Sequence, residues 1–262
     1  NSGFHKNLDI DFFGGEPLMN WEVAKKLVLY ARSIEKDAGK NIRFTLTTNG
    51  INIDDDVIDF CNKEMHNVVL SLDGRKETND RFRVDYKGNG SYDVIVPKFK
   101  KFVEARGNKS YYMRGTYTHF NTDFVEDIKH MADLGFKELS MEPVVTSPDS
   151  PSFLTEEDLP ILMQQYEDLA HEMIKRNKEG NGFTFYHYML DLTCGPCIYK
   201  RISGCGAGTE YIAVTPWGDI YPCHQFVGDE KMKLGDIFNG FTDHGKEVSN
   251  DFAQVNCYTR EG

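Results

Sequence analysis

Hydrophobic and polar positions follow two different rhythms along roughly the first 150 residues of the chain. Short apolar runs rich in β-branched and aromatic residues alternate with longer segments whose apolar positions recur at helical spacing. Successive runs begin about 25 to 45 residues apart, which is the separation that a strand–helix–strand crossover requires. The pattern therefore predicts a parallel α/β fold.

The predicted elements of this region are five strands and four amphipathic helices. The strands cover residues 8–13, 42–48, 67–72, 111–118 and 138–144. The helices cover residues 21–35, 54–64, 92–104 and 123–134. A further long helix is predicted to end near Lys178, because Thr155-Glu156-Glu157 is a typical helix start and an amphipathic segment follows it.

Glycines and polar residues stand at the carboxyl ends of the predicted strands. They are Gly14-Gly15-Glu16, Thr48-Asn49-Gly50, Ser71 with Asp73-Gly74, and Glu142. A parallel barrel gathers its functional residues at this end of its strands, so we favour a (β/α) barrel over a doubly wound sheet.

Five strands cannot close a barrel, so the sequence predicts a partial one. We expect the partial barrel over residues 1–150, a bridging helix and linker over 151–190, and a small, incomplete Cys-rich domain over 191–262. Because a strand begins soon after Asn1, we also expect that an upstream βα unit is absent and that this sequence is the interior of a longer protein.

Composition is that of an ordinary globular protein, with 40% hydrophobic and 27% charged residues. The balance of 30 Lys and Arg against 41 Asp and Glu gives a net charge of −11, which disfavours nucleic acid as a partner. No apolar run approaches the roughly 18 residues of a spanning helix, and no secretion signal is visible. We expect a cytoplasmic protein that does not bind membranes.

Five of the six cysteines fall in the last 69 residues, whereas Cys61 stands alone in a predicted helix. Cys61 is therefore expected to be a small buried hydrophobic residue. The clustered cysteines are Cys194, Cys197, Cys205, Cys223 and Cys257. In a chain of this length without a secretion signal, such a cluster favours metal ligation over disulfides.

The spacing Cys194-x2-Cys197-x7-Cys205-x12-Gly218-x4-Cys223 is compatible with zinc or with an iron–sulfur cluster, since thiolates suit both. A hairpin is predicted around Gly218, because turn residues separate two short apolar runs there. Such a hairpin would present Cys223 back toward Cys205.

The segment Gly14-Gly15-Glu16-Pro17 follows the first predicted strand. Two glycines let a backbone approach a ligand closely, and a carboxylate beside free amides can bind an ammonium group. A plain strand-to-helix turn, with Glu16 near a helix N-terminus, is the alternative. The motif resembles the S-adenosylmethionine (SAM) clamp of the radical SAM superfamily. The resemblance implies a radical SAM type of partial barrel in which Gly14, Gly15 and Glu16, with Pro17 completing the motif, bind the amino group of SAM.

Ser71-Leu72-Asp73-Gly74 and the later Arg83 resemble the region with which peptide-modifying radical SAM enzymes hold the cofactor. The resemblance implies that Ser71 binds a ribose hydroxyl, that Asp73 belongs to the same cofactor site and that Arg83 binds the carboxylate. A turn cap for Ser71 and an exposed salt bridge for Arg83 are the alternatives. Thr48 and Asn49 either line the same cofactor site or form a simple turn.

The segment from Cys205 through Gly218 to Cys223 resembles the opening of the SPASM domain, the auxiliary-cluster module of many such enzymes. The resemblance implies that Cys197, Cys205 and Cys223 bind an auxiliary 4Fe-4S cluster, in which case their sulfurs converge. A structural zinc site formed by Cys194, Cys197, Cys205 and Cys223 is the alternative.

Longer stretches, residues 9–20, 71–93 and 195–205, resemble the maturases of six-cysteine (SCIFF) ranthipeptides. Those enzymes link a peptide cysteine sulfur to a carbon of another residue as a thioether. The implied partners are a cysteine-rich precursor peptide with a leader and an electron donor such as ferredoxin or flavodoxin.

The related anaerobic sulfatase-maturing enzymes carry an aspartate base immediately after the cysteine that corresponds to Cys223, whereas this sequence has His224. This departure argues against formylglycine formation. His224 is a candidate proton acceptor, or alternatively a donor that orients a ligand.

Radical SAM enzymes need a Cys-x3-Cys-x2-Cys loop, and no three cysteines of this sequence have that spacing. We therefore expect the chain to be inactive by itself. Three other functions stay open, namely a zinc-stabilised peptide-binding module, another SPASM-type radical SAM oxidoreductase, and a metal-independent enzyme that uses Glu16 and Glu142 as a carboxylate pair.

Overall fold

A computed structural model describes residue 3 and residues 5–189, 205–256 and 258–259. The chain divides into two compact units, Asn1–Met189 and Leu190–Gly262. No helix within these described ranges is long and apolar enough to cross a membrane.

A six-stranded parallel sheet organises the first unit, and its strands lie side by side in chain order. The strands are β1 (Asn7–Phe12), β2 (Asn41–Thr48), β3 (Asn67–Ser71), β4 (Tyr112–Tyr117), β5 (Glu138–Pro143) and β6 (Thr184–Phe185). The helices are α1 (Trp21–Glu35), α2 (Asp55–Glu64), α3 (Lys76–Phe82), α4 (Tyr92–Arg106), α5 (Phe124–Asp133) and α6 (Leu159–Lys178). Because the strands are parallel, all their carboxyl ends lie at one edge, called the carboxyl edge below.

The five strands and four helices predicted over the first 150 residues are confirmed, with ends that differ by two residues or fewer. Among the strands and α-helices described in the first unit, two were not predicted. The helix α3 holds a single apolar side chain, Phe82, so it leaves no helical periodicity, and β6 is only two residues long.

Residues 151–190 were expected to form a bridging helix and linker. In the structure α6 lies within the first unit, where it packs against α5. The chain then adds β6 to the sheet beside β5, with Glu138 opposite Thr184 and Leu139 opposite Phe185. Most of this segment therefore extends the first unit.

The sheet has one apolar face and one polar face, because side chains alternate along each strand. Apolar residues such as Leu46, Leu70, Met113 and Leu139 are fully buried in the main core. The intervening positions of β2 to β5 carry mostly polar side chains, and we call their side of the sheet the polar face. It includes Arg43, Thr45, Thr47, Asn67, Ser71, Arg114, Thr116, Ser140 and Glu142.

Over residues 205–256 the second unit forms a small antiparallel sheet in the order β10-β9-β8-β7 and, among the residues described there, one α-helix. Its elements are β7 (Ala213–Val214), β8 (Asp219–Tyr221), β9 (Gly235–Asp236), β10 (Gly240–Phe241) and α7 (Asp243–Gln254). The predicted hairpin is present, since β7 and β8 pair antiparallel and Gly218 lies in their turn. Ile220, Leu234 and Val248 form its buried core.

Cys61 lies in α2 and is fully buried, as predicted, and burial raises the pKa of its thiol to about 12. Relative to a free thiol with a pKa of about 8.5, its thiolate fraction at pH 8 falls on the order of a thousandfold.

We expect iodoacetamide to leave Cys61 unmodified in the folded, metal-free protein while it alkylates the exposed Cys205. Peptide mass spectrometry measures both sites, and the two cysteines should react alike in urea. Equal rates in the folded protein would contradict the buried assignment.

Candidate cofactor-binding site

Glu16 links the loop after β1 to the end of β2. Its Oε1 accepts a hydrogen bond from Thr48 Oγ1 at 2.7 Å and from the Leu18 amide at 3.1 Å. Its Oε2 accepts the Asn49 amide at 2.7 Å. Thr48 is only 1% exposed, so the carboxylate is held by a rigid partner. Both oxygens of Glu16 are therefore fixed by the protein itself.

Gly14 and Gly15 precede Glu16 at the carboxyl edge, and both have positive φ angles, +84° and +54°. Only glycine adopts such angles without strain. A Cβ atom built on either residue would meet nothing within 4 Å, so open space lies beside this backbone. Pro17 then starts a short 3-10 helix that Glu16 caps. This arrangement leaves room for a polar ligand next to the Glu16 carboxylate.

Thr48 and Asn49 build the turn after β2. The Thr48 hydroxyl donates to Glu16 and accepts the Gly50 amide at 3.1 Å, and Asn49 Oδ1 accepts the Ile51 amide at 3.0 Å. Their polar side-chain atoms thus shape the loop, in line with a simple turn. They reach the predicted cofactor site through the contacts with Glu16.

Asp73 and Arg83 form a bidentate ion pair beyond the end of β3. Arg83 Nε donates to Asp73 Oδ2 at 2.7 Å and Arg83 Nη2 donates to Oδ1 at 2.9 Å. Oδ1 also accepts the Thr116 amide from β4 at 3.0 Å. Since Asp73 is only 4% exposed, its carboxylate is directed to Arg83 and β4 instead of to a ligand. Arg83 is a half-buried ion-pair partner, not an exposed one.

Ser71 is the last residue of β3, on the polar face, and its register partner in β4 is Arg114. Glu16 follows β1 and contacts the end of β2, whereas Ser71 ends the next strand, β3, and Asp73 follows it directly. The structure therefore places the predicted residues of the first unit along the same edge of the sheet.

Asp127 in α5 is a residue that the sequence analysis missed. It is fully buried and accepts hydrogen bonds from the Arg75 amide at 2.9 Å, Arg75 Nε at 2.8 Å and Thr78 Oγ1 at 2.9 Å. A Cβ atom on Gly74 would lie 2.2 Å from the Asp127 Cβ, so only glycine permits this approach. Asp127 holds the loop that carries Asp73. An acidic residue at core spacing with Phe124, Ile128 and Met131 was the available signal.

Glu142 does not pair with Glu16. It lies on β5, four strands from β1, where its Oε1 accepts Ser140 Oγ at 2.8 Å and lies 3.1 Å from His187 Nε2. Each carboxylate thus has its own set of partners. The geometry gives no support to an enzyme that uses Glu16 and Glu142 as an acid–base pair.

Two predicted cluster ligands belong to the described part of the second unit. Cys205 is exposed, and Cys223 is half-buried with its Sγ accepting the Gln225 amide at 3.3 Å. His224 Nδ1 lies 3.9 Å from Cys223 Sγ and 3.4 Å from Tyr211 Oη.

The third predicted ligand, Cys197, lies outside the described residues, as do Cys194 and Cys257. Among the residues that are described, no three His, Cys, Asp or Glu side chains converge as a metal site. Convergence of Cys197, Cys205 and Cys223 stays a prediction. The donor set, soft sulfur from Cys205 and Cys223, fits an iron–sulfur cluster chemically.

The parallel sheet, with helices between its strands and the Gly14-Gly15-Glu16 loop at its carboxyl edge, defines a parallel α/β class of domain. Residues 8–135 match the model of the Radical SAM superfamily. The chain therefore contains a radical SAM domain, and the cofactors that this family implies are SAM and a 4Fe-4S cluster. The residues at the edge fit SAM, because open backbone beside Gly14 and Gly15 adjoins the Glu16 carboxylate.

Curated relatives carry similar sequences over most of this chain. The radical SAM cyclopropyl synthase TigE of Paramaledivibacter caminithermalis is 22% identical over 84% of this chain and 44% of its own length. A cysteine-type anaerobic sulfatase-maturating enzyme of Clostridium novyi is 24% identical over 88% of this chain and 62% of its own length. The chain thus spans between 44% and 62% of the length of these two relatives.

A solved structure of anSMEcpe with bound AdoMet has the same fold. It superimposes with a TM-score of 0.79 at 21% identity, covering 96% of this chain and 70% of that one. The expected α/β fold of the radical SAM type is thereby confirmed.

Proposed function

We propose that this protein is a radical SAM enzyme that forms a thioether between a cysteine sulfur and a carbon of another residue in a ribosomally made precursor peptide. The observation that supports a radical SAM enzyme is the Gly14-Gly15-Glu16 loop. Its open backbone and fixed carboxylate lie at the carboxyl edge, within the residues that match the Radical SAM superfamily model. When bound, SAM and the 4Fe-4S cluster supply hydrogen-atom abstraction. The protein's residues bind and orient the reactants.

In this proposal the Glu16 carboxylate binds the amino group of SAM, and the backbone of Gly14 and Gly15 lies against the methionine end. Ser71 on the polar face binds a ribose hydroxyl. Arg83, held by Asp73, directs its remaining Nη1 donors to the carboxylate. Asp73 is a positioning residue for Arg83 because both of its oxygens are already bonded.

Peptide modification is proposed from the relatives, one of which is named a sulfatase-maturating enzyme. The thioether is proposed from the resemblance of residues 9–20, 71–93 and 195–205 to ranthipeptide maturases. The second unit then serves as a SPASM-like domain whose Cys197, Cys205 and Cys223 bind an auxiliary cluster. His224, beside Cys223, accepts the proton of the substrate thiol, and a ferredoxin or flavodoxin supplies electrons.

The test uses the complete gene product, purified and reconstituted without oxygen. We expect iron and sulfide, cleavage of SAM to 5′-deoxyadenosine, and a cysteine-rich peptide that becomes lighter by two hydrogen atoms and loses one alkylatable thiol. Conversion of a cysteine to formylglycine would replace the thioether with sulfatase-type maturation. Zinc without iron, and no SAM cleavage, would leave a zinc-stabilised peptide-binding module instead.

Glu16→Gln is expected to weaken SAM binding tenfold to a hundredfold, since a charge-assisted hydrogen bond contributes about 1.5 to 3 kcal/mol. Isothermal calorimetry on the complete gene product measures the affinity. Glu22→Gln is the matched control, because Glu22 is an exposed residue of α1 whose carboxylate, among the described residues, pairs only with Lys25. Unchanged affinity of the Glu16 variant would return Glu16 to a purely structural role in the turn.

A further inference from the structure

Glu142 and His187 form a hydrogen-bonded pair on the polar face of the sheet, called the Glu142–His187 pair below. Glu142 stands one residue before the end of β5, and His187 follows β6 in a short 3-10 helix, Tyr186–Tyr188. The Glu142 Oε1 lies 3.1 Å from His187 Nε2 and also accepts Ser140 Oγ at 2.8 Å. The two side chains are 29% and 28% exposed, so the pair is partly shielded from water and still open to a ligand.

The sheet and its core hold both members of the pair in place. The register partner of Glu142 on β4 is Thr116, whose amide donates to Asp73 at 3.0 Å. The His187 ring packs edge-on against the fully buried ring of Phe185, with 5.3 Å between the ring centroids. Since these side chains are ordered before a ligand arrives, binding costs little of their conformational entropy.

The pair offers unused hydrogen-bond acceptors. An ionised carboxylate can only accept, so the neutral imidazole donates from Nε2 and keeps a lone pair on Nδ1. Within the part of the chain that the structure describes, neither His187 Nδ1 nor Glu142 Oε2 has a hydrogen-bond partner. Partly shielded acceptors without donors are unfavourable, and a ligand that brings N–H groups satisfies them.

We propose that the Glu142–His187 pair binds backbone N–H groups of the substrate peptide and holds the peptide on the polar face. This inference rests on the proposed function and deepens it, because it names the chemical group by which the peptide is bound. The ligand is a neutral amide and not an ammonium group, since Arg114 lies beside Ser140 in the register and its positive charge disfavours a cation there. Backbone amides occur in every peptide, so the pair positions the substrate without reading its side chains.

The first test follows modification of His187 by diethyl pyrocarbonate, read by peptide mass spectrometry in the SAM-saturated complete gene product. The probes, at millimolar concentration, are acetyl-Ser-Ala-Ser-methylamide and the same peptide methylated at every backbone nitrogen. We expect the first probe to slow modification of His187 severalfold and the methylated probe to leave it unchanged, because only the first has N–H donors. His119, whose exposed ring lies 3.0 Å from Asp158, is the internal control and should react alike with both probes.

The second test uses Glu142→Gln, which removes the charge of the pair and keeps its shape. We expect this variant to need about tenfold more of the unmethylated probe for the same protection of His187, because a hydrogen bond to a charged acceptor is lost. Calorimetry should give the variant the SAM affinity of the wild type. Glu138→Gln is the matched control and should change neither quantity, since Glu138 lies on the same strand and face and contacts Thr184.

Protection of His187 by both probes or by neither overturns the inference, and this result comes from the wild-type chain alone. A Glu142→Gln variant that binds SAM tenfold more weakly also overturns it, because the pair then contacts the cofactor and not the peptide. Both results leave the proposed function standing, provided that the wild type cleaves SAM. Conversely, a wild type that binds no SAM contradicts the proposed function, and the protection measurement, repeated without SAM, still decides whether the pair binds peptide amides.

Discussion

Asp127→Ala is expected to lower the free energy of unfolding of the first unit by about 3 to 5 kcal/mol, the largest effect that we predict for a single residue. Asp127 is fully buried and accepts hydrogen bonds from Arg75 and Thr78. Its removal leaves the Arg75 amide and the buried Thr78 hydroxyl without their acceptor, and the Arg75 guanidinium keeps only exposed carboxylates such as that of Asp123. A buried donor left without its partner costs about 1 to 3 kcal/mol, and the loss of the buried half of the ion pair adds to that cost.

Urea unfolding followed by circular dichroism measures the effect, with Glu126→Ala as the matched control in the same helix. Glu126 is exposed, and within the described part of the chain its carboxylate pairs only with Lys129, so its loss should change stability by about 0.5 kcal/mol or less. The loop that carries Asp73 should loosen with Asp127→Ala, which faster amide exchange at Arg75 would show. Similar stabilities of the two variants would disprove the role assigned to Asp127.

Asp73→Ala is expected to lower the free energy of unfolding by about 3 kcal/mol, since it leaves the half-buried Arg83 unpaired and the Thr116 amide without its acceptor. Arg83→Ala is expected to cost a similar amount, because it leaves the buried Asp73 carboxylate uncompensated. The double variant removes both charges and should cost clearly less than the sum of the two single losses.

The double-mutant cycle in urea unfolding therefore measures the coupling, which we expect at about 2 kcal/mol. The same variants separate folding from ligand binding. Arg83→Ala and Asp73→Ala should both weaken SAM binding. Arg83→Ala removes the guanidinium, and Asp73→Ala removes the carboxylate that holds this guanidinium in place. Strictly additive stabilities would show that the two residues do not act as a pair.

The alternation of β4 and the long helical repeats made most of the first unit predictable, because burial of one face dictates which positions are apolar. The two-residue strand β6 was not predictable, since it owes its place to pairing with β5 and carries no periodic pattern of its own. The polar helix α3 was not predicted for a related reason. Phe82 is its only apolar residue, so its sequence shows no apolar repeat at helical spacing.

The candidate site divides in the same way. Gly14, Gly15 and Glu16 can be recognised in the sequence as a motif. The ion pair between Asp73 and Arg83 cannot, because it depends on a strand end and a helix end lying close together in three dimensions. Asp127 left a trace in the sequence as a charge within an apolar stripe.

The hydrogen bonds of Glu16 limit how many further donors it can take. A carboxylate offers about four lone-pair positions. Thr48 and the Leu18 amide use two on Oε1, and the Asn49 amide uses one on Oε2. A single position on Oε2 is left, which suits one N–H of an ammonium group and cannot serve the paired donors of a guanidinium. Because three of the four lone-pair positions are already occupied, the Glu16 carboxylate favours a ligand that presents a single N–H, such as an amine, over one that presents two parallel donors.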